Sequence, residues 1–292
     1  MIKTKIFVLD VLKFLNPLFK VISLTVMNNG RIVTGDMQGT VRIWNEYNRT
    51  FIKSIDFTSN CYGLISYKDD IVISGHKIGE INIWNVTANT VQKLIGHTQR
   101  VFTLKILNNF LFSGSEDSTI KVWDLISLKL VNELISHTNR INSIVLLPKK
   151  NFLISCSWDT TIIIWNLTDY SLTNTIKAHS HFIDYLVVLP NNYLASASRD
   201  QTIKIWDTNE WNIVKEINFQ SKGYISLEVL SNERLVAATD EESKIEILNY
   251  NTGDRIYTIK TDSNVNALGV LKNGNLLSGH NSILINVNVW QT

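Results

Sequence analysis

Short apolar phrases rich in β-branched residues recur along the chain and close on tryptophan: TIKVW at 119–123, TIIIW at 161–165 and TIKIW at 202–206. Phrases of this length and branching predict strands rather than helices. A turn signal recurs earlier in every unit, as MNNG at 27, YKDD at 67, LNN at 107, PKKN at 148, PNN at 190, SNE at 231 and KNG at 272. Each such turn predicts an antiparallel connection between two strands. Trp44, Trp84, Trp123, Trp165, Trp206 and Trp290 are spaced by 40, 39, 42, 41 and 84 residues, and Leu248 stands where the tryptophan of a skipped unit belongs. The pattern predicts seven repeats of about 42 residues, the length of a four-stranded propeller blade.

Three units are strongest: SGSEDSTIKVWD at 113–124, SCSWDTTIIIWN at 155–166 and SASRDQTIKIWD at 196–207. Two of them end in Trp-Asp, and over essentially its whole length the chain resembles the WD-repeat β-propeller family. That resemblance implies an all-β fold over residues 1–292, a single seven-bladed β-propeller of four-stranded blades. The blades end near Trp44, Trp84, Trp123, Trp165, Trp206, Leu248 and Trp290. It also implies a hydrogen-bond chain in three units: His97, Ser113, Asp117 and Trp123; His137, Ser155, Asp159 and Trp165; His179, Ser196, Asp200 and Trp206. The physical need is a partner for each buried indole N–H. Elsewhere Gln38, Ile78, Glu242 and Leu284 replace the turn Asp, and Pro17, Phe57, Gln220 and Thr261 replace the His. Those four blades are expected to rely more on packing. The last unit lacks a fourth strand, so the opening segment, roughly Ile6–Leu15, is expected to complete it and close the ring.

Composition narrows the chemistry. Apolar residues make up 45% of 292 residues and the formal net charge is +2, so neither disorder nor attraction to a polyanion is favoured. No apolar run reaches the ~18 residues of a membrane span. Asp10 and Lys13 interrupt the apolar opening and no small-residue cleavage site follows, so it reads as mature structure. Cys61 and Cys156 form no disulfide framework and no zinc spacing, which favours an intracellular, cytoplasmic or nuclear home. The sequons at Asn48, Asn85 and Asn166 carry weight only in a secreted protein. No phosphate loop, nucleophile elbow, HExxH or CxxC is present, and no cofactor and no metal are expected. The repeated His, Ser and Asp sets read as structure, because a hydrolase needs one nucleophile at one pocket. His76 and His280, each in an SGH phrase, read as exposed turn histidines rather than ligands.

The expected activity is therefore binding, not catalysis. In propellers similar to this one, proteins or peptides dock on the narrow face around the channel. By alignment that face holds Tyr62, Lys77, Arg100, Phe102, Glu116, Arg140, Asn142, Trp158, Phe182, Asp184 and Arg199. Of these, Tyr62, Arg100, Phe102, Arg140, Trp158, Phe182, Asp184 and Arg199 form the expected partner-binding set, since aromatic residues and arginine dominate interface energies. The partner is a protein or peptide, with the chain acting as a monomeric scaffold or adaptor in a hetero-complex such as a ubiquitin ligase or a signalling assembly. Two alternatives stand beside it. One is an enzyme with a channel-side site, for which Asp184, Asn142 and Asn266 are the residues to watch; the other is a nucleic-acid-binding propeller, against which the near-neutral charge argues.

Overall fold

The computed structural model describes residues 8–9, 20–47, 50–190, 192–218, 224–230, 233–239, 243–261, 263–280 and 287–290. Six blades are complete, each a four-stranded antiparallel sheet of strands consecutive in sequence. Blade one runs Val21–Val26, Ile32–Asp36, Thr40–Trp44, Phe51–Asp56, and blade two Cys61–Tyr67, Ile71–His76, Ile81–Asn85, Thr90–Leu94. Blades three, four and five begin at the inner strands Val101–Leu107, Ile141–Leu147 and Ile183–Val188, and blade six at Tyr224–Leu230. The inner strands of successive blades lie side by side around a central channel.

The structure corrects the expected seven complete blades to six. The remaining sheet is assembled from both ends of the chain, with Val265–Val270, Leu276–His280 and Val287–Trp290 joined by Val8–Leu9. Its outer strand is two residues long, pairing Val8 with Trp290 and Leu9 with Val289, where a strand over Ile6–Leu15 was expected. The rest of that span lies outside the described residues, as do Pro17, Gln220, Glu242, Leu284 and Asn48. The physical difference is topological. A complete blade receives its outer strand through a short turn that fixes register, whereas here the paired strands are separated by almost the whole chain and no turn sets their alignment.

The cores lie between blades. Ile73, Ile81 and Leu94 of blade two, for example, pack with Val101, Leu104, Leu111 and Trp123 of blade three. The close approach of neighbouring sheets explains a small residue at one position of every second strand: Gly35, Gly75, Gly114, Cys156, Ala197, Ala238 and Gly279. A Cβ built on Gly75 would stand 2.8 Å from Val101 Cβ, and one on Gly114 2.8 Å from Ile141 Cγ2. The next blade's first inner residue occupies the space that a side chain would need. Cys61 and Cys156 belong to this layer; both are fully buried, and burial pushes the Cys61 thiol up to about 12. They are structural rather than reactive groups.

In blades three, four and five the polar chain closes. His97 Nε2 meets Ser113 Oγ at 2.8 Å, Trp123 Nε1 donates to the same oxygen at 2.8 Å, and His97 Nδ1 lies 2.7 Å from Asp117 Oδ2. The same links join His137, Ser155, Trp165 and Asp159, and His179, Ser196, Trp206 and Asp200. Each turn carboxylate also accepts backbone N–H bonds, as Asp159 does from Thr138 and Thr161.

Some of the blades lacking this chain keep a shorter polar pair, although the buried Trp84 indole N–H of blade two has no hydrogen-bond partner among the described residues. In blade two His76 is buried, its Nε2 2.8 Å from Ser74 Oγ and its Nδ1 2.7 Å from the Ser59 carbonyl. His280 does the same with Ser278 at 2.8 Å. The expected exposed turn histidines are thus buried stand-ins for the absent ones, supplied from the second strand instead of the preceding loop. In blade one Asp36 fills that position, accepting from Gln38 and Thr40 N–H and pairing with Arg42, while Trp44 donates to Thr34 Oγ1 at 3.0 Å.

These carboxylates carry a pH signature. Burial pushes Asp117, Asp159 and Asp200 up, but the hydrogen bonds and charge of the paired histidines, with the Thr hydroxyl and N–H donors, outweigh it. All three are held below the usual carboxylate range, Asp159 at about 2. A depressed folded-state pKa gives stability that is complete above the unfolded value near 3.9 and lost as pH falls through the folded value. Urea midpoints should therefore drop between about pH 4 and pH 2. Asp159→Asn should show a smaller drop over that window, and an identical drop would show that the carboxylate does not carry it.

Candidate functional site

Every inner strand carries the same irregularity, a register shift after its first residue, as at Cys61/Gly63, Val101/Thr103, Ile141/Ser143 and Ile183/Tyr185. The extra residue is a β-bulge, which turns its side chain out of the regular alternation. Those residues are Tyr62, Phe102, Asn142 and Asp184, and all four line the mouth of a channel cavity of about 340 Å³. A second backbone device brings up their neighbours. The residue before each turn donates its N–H to the residue entering the inner strand: Glu116 to Arg100 at 2.8 Å, Trp158 to Arg140 at 3.1 Å and Arg199 to Phe182 at 2.9 Å. Bulge and pinned pair together gather side chains some 40 residues apart in sequence onto one face.

The gathered side chains stack continuously across blades two to five. Arg100 lies over Tyr62 at 5.7 Å, Tyr62 meets Phe102 at 5.2 Å, and the Arg140 guanidinium sits 4.3 Å from the Phe102 centroid. Its other side faces Trp158 at 3.6 Å, and Trp158 stacks on Phe182 at 4.3 Å with the rings 7° from parallel. Arg199 approaches Trp158 at 5.3 Å. Cation–π contacts contribute about 0.5–1 kcal/mol where partly exposed, as at Arg100 and Arg199, and about 2 kcal/mol where desolvated.

Asp184 is the anchor beneath the stack rather than a lone channel carboxylate. It is buried, accepting from Asn142 Nδ2 at 3.0 Å and Trp158 Nε1 at 3.1 Å on Oδ1, and from Arg199 Nε at 2.9 Å on Oδ2. Burial raises its pKa against the opposing pull of Arg199, Trp158 and Arg140. Asn142 is equally central: its Oδ1 accepts from Arg140 Nε at 2.6 Å, and its Nδ2 also reaches the Ile183 carbonyl at 3.1 Å. Of the residues expected on this face, Lys77 stands apart as an exposed side chain with no ion pair among the described residues. His181, which edges onto Phe182 at 4.5 Å, was missed, since no blade-wide pattern marks the position before that aromatic. Asn266 also lines the channel, donating to the Val21 carbonyl at 2.8 Å, away from the stack.

The chemistry available is recognition by flat, rigid, partly exposed surfaces. Among the described residues no group of three or more His, Cys, Asp or Glu is placed to hold a metal ion, and no helix is long and apolar enough to cross a membrane.

Comparison with known proteins agrees with the repeat pattern. The family model "WD domain, G-beta repeat" matches residues 16–45, 88–124, 128–166 and 170–207, the last three being the units with the closed His–Ser–Trp–Asp chain. A solved structure, the WD40 β-propeller domain of Doa1, superimposes with a TM-score of 0.86 over 99% of this chain and 97% of that one, at 20% identity, a likeness of fold. Among curated proteins, the nuclear distribution protein PAC1 of Debaryomyces hansenii is 45% identical over 62 residues, 18% of this chain and 12% of that protein. The p21-activated protein kinase-interacting protein 1-like of Danio rerio is 27% identical over 134 residues, 43% of this chain and 34% of that protein. The match to myosin heavy chain kinase C of Dictyostelium discoideum covers 39% of this chain and 15% of that protein at 25% identity. The chain thus spans about a third or less of the length of these relatives. On the four matched repeats and the propeller that carries them, the chain belongs to the WD-repeat family.

Proposed function

We propose that this chain is a non-catalytic scaffold that binds a protein or peptide partner across the face formed by Tyr62, Arg100, Phe102, Arg140, Trp158, Phe182 and Arg199. The partner complex lies in the cytoplasm or nucleus. The observation that carries the reading is the unbroken aromatic and guanidinium stack over four blades, held from below by Asp184 and Asn142. Rigid aromatic and arginine side chains lose little freedom on docking, which is why such clusters concentrate binding energy. The relative named as a kinase-interacting protein is consistent with an adaptor role.

A photo-crosslinking amino acid placed at Phe182, and separately at Val214 on the exposed outer strand of blade five, tests this in lysate of the source cells. The reading expects discrete adducts from position 182 that vanish with Trp158→Ala. Adducts only from position 214 would overturn it.

A further inference from the structure

Carboxylates at the channel mouth are unequally shared among the three arginines. Arg100 Nε lies 3.5 Å from Glu116 Oε2, and Arg199 Nε holds Asp184 Oδ2. The remaining oxygen of Asp184 is occupied by Asn142 and Trp158. Arg140 is left without one. Its Nε donates to Asn142 and its plane is clamped between Phe102 and Trp158, but its two terminal nitrogens make no hydrogen bond or ion pair among the described residues. Lys105 lines the same cavity, three residues further along the blade-three inner strand and so roughly 10 Å deeper. Its amine likewise has no hydrogen bond or ion pair among the described residues. Burial lowers the pKa of both cations, that of Arg140 to about 10 against the nearby charges of Asp184 and Glu116, which it does not contact, and that of Lys105 against Glu228. The channel and its mouth therefore present Arg100, Arg140, Arg199 and the deeper Lys105 against Glu116, Asp184 and Glu228, one cation in excess.

We propose that this mouth is a carboxylate receptor: the partner docked on this face is acidic, and one of its Asp or Glu side chains enters the channel to meet the Arg140 fork. The inference rests on the proposed docking face and specifies its ligand. Three observations favour it. The space between Phe102 and Trp158 that would attract a cation is already filled by Arg140 itself, so a cationic ligand meets repulsion. Stacking and the Asn142 bond fix the guanidinium plane in advance, so two parallel N–H···O bonds to a carboxylate form with little loss of side-chain freedom. A phosphate dianion calls for a second unpaired cation beside Arg140, but Lys105 lies roughly 10 Å deeper and the positions after the turn Asp offer only Ser118, Thr160 and Gln201.

The test uses fluorescence anisotropy with labelled hexaglutamate, hexaglutamine and a glycine-flanked phosphoserine peptide on the full chain. Hexaglutamate should bind and hexaglutamine should not. Arg140→Gln should weaken hexaglutamate by about tenfold or more, and Arg140→Lys, which keeps the charge but loses the fork, by several-fold. Lys129→Gln on the exposed outer strand of blade three should leave it within about twofold. If either arginine variant misfolds, the Arg140 Nε–H resonance of wild type must shift on adding hexaglutamate. Absent binding, an equal loss in Lys129→Gln, an unmoved resonance, or tighter binding of the phosphoserine peptide would each overturn the proposal. Crosslinks from position 182 that persist alongside such a failure would leave the docking face standing and remove only its carboxylate chemistry.

Discussion

Replacing Asp159 by alanine is expected to cost the fold about 3 kcal/mol, because one carboxylate satisfies four donors at once. Its Oδ2 faces His137 Nδ1 at 2.7 Å and accepts the Thr138 N–H at 3.0 Å. Its Oδ1 takes both the N–H and the hydroxyl of Thr161, at 2.9 and 2.6 Å. Removing it strands a buried imidazole that orients Ser155, and through Ser155 the indole N–H of Trp165. Ile78 occupies the equivalent turn position in blade two and is 61% exposed. Ile78→Ala should therefore change stability by no more than about 0.5 kcal/mol. Urea or thermal midpoints of the two variants, measured side by side, check the contrast; equal effects would show that the turn, not the carboxylate, sets the stability.

The second large effect comes from adding atoms rather than removing them. Gly75→Val should destabilise the protein by about 3 kcal/mol or prevent its folding. A Cβ there would lie 2.7 Å from Val101 Cγ1, 2.8 Å from Val101 Cβ and 3.0 Å from the Val101 carbonyl oxygen. The obstruction includes backbone of the next blade, so no rotamer change relieves it; blades two and three must separate along Ile73, Leu104 and Leu111. Gly274 is the contrasting control for crowding alone, having nothing within 4 Å of its Cβ position but a φ of +84°. Gly274→Ala should cost only the roughly 1 kcal/mol of a left-handed alanine. A Gly75→Val protein as stable as wild type would mean that the blades are not close-packed at this layer.

The repeat was legible because its signal is local: a tryptophan, or Leu248 in its place, closes each unit, and a turn and a β-branched strand lie within a few positions of it. The closed polar chains in blades three to five were legible through the family resemblance, since each histidine lies 16 to 22 residues from its serine and aspartate. The substitution of His76 for the missing loop histidine was not, since it swaps a long-range partner for one two residues from Ser74, and only the fold shows both imidazoles arriving at the same serine position. The number of complete blades was overestimated because a periodic sequence is silent on whether its two ends meet in a full-length strand. On the docking face, residue types were readable but their arrangement was not. The Arg140 clamp needs Phe102 from blade three, Trp158 from blade four and the bulges that aim them, and Asp184 became an anchor only through donors on blades four and five. Such contacts follow from ring geometry, which no single window of sequence contains.

The measurement that bears most directly on the scaffold account is affinity capture from source cells with wild type beside a Trp158→Ala, Arg199→Ala double variant, after circular dichroism and thermal midpoints establish that both are folded. The two substitutions remove the central ring of the stack and the guanidinium that holds Asp184. The account predicts a set of partners retained by wild type and lost from the double variant. An unchanged set would contradict it by moving the interaction to another surface.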